Sequence, residues 1–233
     1  MRILINYADR GFFQAQKQNE ISGLEYGFDR VIKYNRSSLD SDFQQKNEHI
    51  LRESRGAGYW LWKPYIIVKA LKEVSPDDQI FYCDSGSRFI SNVAPLFELC
   101  NKEEIVLFGS MHLNRTWTKM DAFYYMGSKS YDCKSAIASF IICKNTMRSK
   151  EFFKEFLEYS QDRRIITDDP NTCGQDNFIE FRDHRHDQAI LSIMANDRGM
   201  TLHRDPSQYG NGLLDKYPQD TYGQIIDHTR RRD

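Results

Sequence analysis

The chain has 233 residues, with 32 Lys and Arg against 33 Asp and Glu and a net charge of -1. That length supports one domain with a core large enough to fold without disulfide or metal staples. Hydrophobic residues at 40% and aromatics at 13% exclude a disordered chain, and the balanced charge excludes a broadly basic nucleic-acid binder.

Arg2 to Ala8 reads as a buried first strand, because Ile3, Leu4 and Ile5 form a short continuous apolar run. Asp9-Arg10-Gly11 ends it, and Phe28 to Tyr34 supplies a second strand. Ser41 to Ser54 carries one helical stripe of Phe43, Ile50 and Leu51, and Gly56-Ala57-Gly58 breaks the chain. Pro64 suits a first helical turn, and Ile67, Ala70, Leu71 and Val74 recur at helical spacing, so a helix is expected over 62–74. Gln79 to Cys83 reads as a buried strand closed by Asp84-Ser85-Gly86, and Ile105 to Phe108 and Ala136 to Cys143 read likewise. Phe152, Phe153, Phe156 and Leu157 mark a helix within 146–160. From Asp187 an all-round apolar stretch predicts a buried helix, Met200 to His203 a last strand, and the chain beyond Asp205 a loop.

Strands alternating with helices predict an α/β domain over 1–233 with a largely parallel sheet. The abrupt Arg230-Arg231-Arg232-Asp233 end is what one domain of a longer protein would show. No apolar run reaches the roughly 18 residues of a spanning helix, and Met1 to Ala8 lacks the long apolar core of a secretion signal. The cysteines Cys83, Cys100, Cys133, Cys143 and Cys173 are odd in number and have no CxxC spacing. They read as reduced, mostly buried thiols, so a cytoplasmic location is expected.

Ligands of open α/β sheets bind beyond the carboxyl ends of the strands. Asp84 stands at such an end, where a carboxylate can present oxygen to a hard cation, and Gly86 lets backbone approach a ligand. The same residues also fit a plain Asp-Ser-Gly turn. His184-Arg185-His186-Asp187-Gln188 opens the buried helix. Asp187 suits a base, a hydroxyl anchor or a stabiliser of charge at a sugar carbon, and equally a helix N-cap. His203 and His228 are lone histidines that fit either a structural or a ligand role, and the Arg tail carries cations suited to a diphosphate. Trp60 and Trp62 beside Lys63 suit a base or sugar face with a phosphate nearby, or a hydrophobic helix entry.

Taken in order, Gly58-Tyr-Trp-Leu-Trp-Lys-Pro64, Ile80-Phe-Tyr-Cys-Asp-Ser-Gly86, Trp117-Thr-Lys-Met-Asp121 and His184-Arg-His-Asp-Gln188 resemble a family of bacterial and viral nucleotide-sugar glycosyltransferases with the GT-A fold. The resemblance spans most of the chain, and its narrower form is to glycosyltransferase domains of multidomain viral proteins that build capsid glycans. It implies a Rossmann-like mixed, mostly parallel sheet flanked by helices, a UDP- or GDP-sugar donor, a glycan acceptor and Mn²⁺ or Mg²⁺. It implies that Asp84 occupies the Asp-X-Asp position, with Gly86 in place of the second acid and His203 or His228 completing the metal shell. It further implies a donor site of Tyr7, Ala8, Arg10, Trp60, Lys63, Asp84, Ser85 and Gly86. Asp187 with Gln188 then faces the sugar, with Asp121 as second candidate. Two other classes fit the residues: a noncatalytic carbohydrate- or nucleotide-binding module, and a metal-dependent nuclease using Asp84, His184 and the Arg tail. The balanced charge argues against the nuclease and against a nucleic-acid partner.

Overall fold

A computed structural model describes residues 1–229, with Arg10 described by its backbone only. In chain order it forms β1 (Arg2–Tyr7), α1 (Phe13–Glu25), β2 (Arg30–Tyr34), the short helices α2 (Ser41–Lys46) and α3 (Glu48–Leu51), the turn α4 (Gly56–Tyr59) and α5 (Trp62–Glu73). There follow β3 (Gln79–Cys83), β4 (Arg88–Phe89), α6 (Ala94–Glu103), β5 (Ile105–Leu113), α7 (Asn114–Trp117), α8 (Met120–Met126) and β6 (Lys134–Lys144). The last elements are α9 (Met147–Ser160), α10 (Arg163–Ile166), α11 (His186–Asp197), β7 (Leu202–Arg204) and β8 (Ile226–Asp227).

Six strands form one sheet in the order β2-β1-β3-β6-β5-β7. β1 pairs in parallel with β2 and β3, and β5 with β7, whereas β6 runs antiparallel to both β3 and β5. The sheet is therefore mixed and mostly parallel. Its apolar runs are buried on both faces, as their lack of alternation requires. Ile3, Ile5, Ile80, Tyr82, Leu107 and Ile141 enter one core with α5, α9 and α11. Leu4, Phe81, Cys83, Val106, Phe108 and Phe140 enter the other with Phe89 and α6. Among the described residues, no helix is long and apolar enough to cross a membrane.

The helix α1 is not visible as an amphipathic stripe. Its buried residues are Ala15, Gln16, Asn19, Ser22 and Gly23, while Phe13, Ile21 and Leu24 are exposed. Two physical reasons account for this inversion. A Cβ on Gly23 would lie 2.6 Å from Leu4 Cδ2, so glycine allows the helix to approach the sheet. The amides form a satisfied buried network: Asn6 Nδ2 donates to Asn19 Oδ1 (2.7 Å), Gln16 Nε2 to Asn6 Oδ1 (2.9 Å), and Asn19 Nδ2 to the Ser87 carbonyl (2.9 Å). The segment after Asp205 is also more ordered than its composition suggests. It returns across β4, where β8 pairs antiparallel with Arg88–Phe89 and brings His228 over the sheet.

Candidate active site

The chain leaves β1 toward β2 on one side and β3 on the other. That reversal opens a crevice at the carboxyl ends of β1 and β3, the usual ligand position in an open α/β sheet. A cavity of about 630 Å³ lies there. It is lined by Tyr7, Trp60, Lys63, Asp84, Ser85, Gly86, Asp187, Gln188 and His228, so most of the residues expected from sequence converge. Ser85 Oγ donates to the Tyr7 carbonyl at 2.6 Å and ties the two strand ends together. Thr229 Oγ1 donates to the Gly86 carbonyl at 3.1 Å, fastening the returning segment to the same loop.

Lys63 is the centre of the site. It stands in the first turn of α5 with its side chain 3% exposed. Its ammonium lies 2.5 Å from Asp187 Oδ2 and 3.8 Å from Asp84 Oδ1, and it donates to the Ala138 carbonyl at 3.0 Å. A buried cation is expensive unless it is paired and hydrogen-bonded, and this one is both. Asp84 also accepts from the Tyr82 hydroxyl at 2.5 Å. Burial pushes the Asp84 carboxyl up, but Lys63, His228 and the Tyr82 hydroxyl outweigh it and hold the group below its ordinary value. Asp187 is buried more completely, at 5% side-chain exposure. There desolvation wins over Lys63 and raises its pKa to about 6. Two carboxylates thus share one cation with their pKa values driven apart, the pattern of paired groups with different roles.

The pocket wall beside Lys63 is built from unusual backbone. Gly56, Ala57, Gly58, Tyr59 and Trp60 all have positive φ (58°, 51°, 98°, 52° and 60°), one left-handed turn. Each non-glycine residue in that region costs about 1–2 kcal/mol. At Gly58 a Cβ would lie 2.7 Å from Leu51 Cα, so both its φ and its surroundings demand glycine. Trp62 Nε1 donates to the Gly56 carbonyl at 2.9 Å and closes the turn, and Tyr7 stacks on Trp62 at 3.9 Å and 12°. His186, at φ 49°, packs against Tyr59 and Trp60 with ring centroids 4.7 and 5.5 Å away. Backbone strain of this kind persists only where the surroundings over-determine it, and it concentrates at ligand sites.

Three residues expected at the site stand elsewhere. Asp121 is fully buried at the start of α8. Its carboxylate accepts from Thr172 N (2.9 and 2.8 Å), Thr172 Oγ1 (3.0 Å) and Cys173 N (2.8 Å), so it tethers the loop after α10. His203 lies on the edge strand β7 with both ring nitrogens engaged, Nδ1 with Asp220 (2.7 Å) and Nε2 with Glu103 (3.0 Å). The expectation that it shares a metal with Asp84 is corrected accordingly. Ala8 follows directly on β1, but the residue is 1% exposed and does not line the cavity. The Arg10 side chain and the tail Arg230–Arg232 lie outside the described residues. His184 also faces away from the main cavity, with Nε2 on the Ile165 carbonyl at 2.8 Å and Nδ1 accepting from Lys119 N at 3.3 Å.

The sequence pattern missed Tyr82, Arg55, Arg185, Ser139 and His186 as lining residues. The paired glycines 56 and 58 were the available signal for the left-handed turn. Nothing local marks Ser139, which reaches the site only because β6 runs antiparallel beside β3, giving the Asp84 N–H its acceptor at 3.0 Å. Among the described residues no three His, Cys, Asp or Glu side chains gather as a complete cation site. Asp84 and His228 both face the cavity. Together they offer a divalent cation one carboxylate and one imidazole, short of a full ligand set.

This mixed sheet, with its crevice at the β1–β3 switch, is the fold of GT-A glycosyltransferases. Mouse xyloside xylosyltransferase 1 in its apo form superposes with a TM-score of 0.53 at 12% identity, covering 97% of this chain and 96% of that one. Galactosyltransferase LgtC, solved with donor and acceptor sugar analogs, gives 0.52 at 10% identity over 98% and 86%. A glycosyltransferase involved in glycosylation of the major capsid of PBCV-1 gives 0.51 at 12% identity over 98% and 92%. No protein-family model and no curated protein matches the chain.

Proposed function

We propose that this protein transfers a sugar from a nucleoside-diphosphate sugar, UDP- or GDP-linked, to a hydroxyl of a glycan acceptor. The observation that carries the proposal is Lys63, buried between Asp84 and Asp187 at the carboxyl ends of β1 and β3. In this reading Tyr7 and Trp60 face the base and ribose, and the Asp84-Ser85-Gly86 turn receives the ribose and diphosphate. Asp84 and His228 would hold a divalent cation, which when bound supplies positive charge to the departing diphosphate. Asp187 receives the proton of the incoming hydroxyl while the acceptor oxygen bonds to the sugar carbon. The bond from that carbon to the diphosphate oxygen breaks, and the electron pair leaves with the nucleotide. A base whose pKa lies near 6 is well matched to proton transfer at neutral pH. Gln188, beside Asp187 on the cavity wall, hydrogen-bonds the sugar. Lys63 keeps Asp187 in one orientation and offsets its charge.

A thermal-shift screen of UDP- and GDP-sugars, with and without Mn²⁺, tests the reading. A ligand at a hundred times its Kd stabilises the native state by about 2.7 kcal/mol. For a protein of this length that corresponds to a Tm rise of roughly 5–10 °C. The expected result is a rise with one nucleotide sugar, enhanced by Mn²⁺, together with slow hydrolysis of that donor. Absence of both a shift and hydrolysis across the screen would overturn it.

A further inference from the structure

A second cavity of about 370 Å³ adjoins the first, with Arg55 in the wall of both. One continuous segment also lines them in turn: Asp183 and His184 face the second cavity, and Arg185 to Gln188 the first. The hydrogen-bonding capacity left in the second cavity is lopsided. Each of its acids has an arginine partner, Asp168 and Asp183 through one oxygen apiece. Arg55 forks between Asp168 (3.0 Å) and Asp183 (2.6 Å), and Asp169 is gripped by Arg163 through bonds of 2.6 and 3.1 Å. The donors are not committed. Lys119 is 3% exposed, yet its ammonium donates only to the Asp169 carbonyl at 3.0 Å. Among the described residues no carboxylate stands within 4.0 Å of it. Arg182 is exposed at the same cavity and has no ion pair among the described residues. Asn177, whose Oδ1 accepts from the Met120 N–H at 2.7 Å and from Asn171 Nδ2 at 2.9 Å, lines the same cavity.

A buried ammonium with donor valence to spare beside a solvent-filled cavity asks for an acceptor from a ligand. We infer that the second cavity binds the acceptor, and that the acceptor is an anionic saccharide whose carboxylate or phosphate meets Lys119 and Arg182. The acceptor role rests on the transferase reading above. The anion preference does not, because it follows from the spare donors of Lys119 and Arg182. In this arrangement the charged group anchors the sugar in the second cavity and a hydroxyl crosses past Arg55 to Asp187.

Equilibrium binding tests it on the intact chain, with glucuronate, glucose 6-phosphate, glucose and inorganic phosphate as probes. The expected result is that at least one anionic sugar binds about tenfold more tightly than glucose and than inorganic phosphate. Lys119→Met and Arg182→Ala each weaken that binding about tenfold, whereas nucleotide binding in the first cavity is unchanged by Arg182→Ala. Arg182 is exposed, so its variant folds even if the buried Lys119 variant does not. Glucuronate against glucose 6-phosphate decides between carboxylate and phosphate. The inference is overturned if glucose binds as well as both charged sugars, if inorganic phosphate alone accounts for the affinity, if no probe binds, or if Arg182→Ala leaves anionic-sugar affinity intact. Anionic sugar binding in a protein that binds no nucleotide sugar would remove the transferase reading while leaving the anion site.

Discussion

Asp187→Asn separates a catalytic carboxylate from a structural one. The ordinary aspartate value is 3.8, and burial in the first turn of α11 raises Asp187 to about 6. The folded state therefore holds its proton more tightly than the unfolded state. Below about pH 4 both states are protonated and the group leaves stability intact. As pH rises from 4 through 6 the ionised form must be accommodated in the fold, and stability falls. Two pKa units correspond to about 3 kcal/mol, the plateau reached above pH 6. Asparagine stands in for the permanently neutral carboxyl and escapes that loss. Lys63 keeps the Ala138 carbonyl at 3.0 Å and Asp84 at 3.8 Å as partners. Relative to the wild type, Asp187→Asn is thus expected to gain stability as pH rises from 4 to 7, by up to about 3 kcal/mol, on top of the pH-independent cost of losing the Lys63 pairing. Urea denaturation at the two pH values measures this. Transfer should meanwhile fall by roughly 10²–10⁴, the usual contribution of a positioned base. An N-cap role predicts the reverse, and the structure shows no side-chain cap at this helix start. A variant that is destabilised equally at both pH values and retains turnover would refute the reasoning.

Other substitutions probe the remaining parts of the site. Asp84→Ala should lower transfer by about 10²–10³ with an unchanged circular dichroism spectrum, since the side chain is 29% exposed and Lys63 retains Asp187; retained activity would end the assignment of Asp84. Ala57→Gly removes one left-handed non-glycine residue at φ 51° and should raise stability by about 1 kcal/mol, read as a Tm gain of roughly 2–4 °C. A lower Tm would show that the turn is not strained. Asp121→Asn weakens the charged acceptor that holds Thr172 and Cys173, and should cost about 2 kcal/mol in denaturant with kcat unchanged. A kcat loss without destabilisation would return Asp121 to the reaction.

Much of the sheet was legible because its strands are buried on both faces. Ile3-Leu4-Ile5 and Ile80-Phe81-Tyr82 read as strands with no tertiary knowledge, and Asp84 was marked by standing at the end of one. The helix α1 escaped because its contacts with the sheet are made by Gly23 and a set of amides rather than by an apolar stripe. The reversed direction of β6 escaped because a buried strand reads alike in either direction. Asp121 and His203 were misplaced for a related reason: a carboxylate or imidazole near a motif gives no sign of whether its partners are a ligand or a neighbouring loop.

Sequence by itself determined an α/β chain with carboxylates at a strand end and at a helix start, because hydrophobic periodicity and turn chemistry are local properties. Only the tertiary structure decided which of these meet. Lys63, Asp84 and Asp187 come from α5, the end of β3 and the start of α11, and become one site through the β1–β3 switch. Their division of labour belongs to the fold as well. Lys63 faces both carboxylates and burial pushes both upward, but His228 and the Tyr82 hydroxyl also act on Asp84 and hold it down, while the charge of Asp84 pushes Asp187 further up.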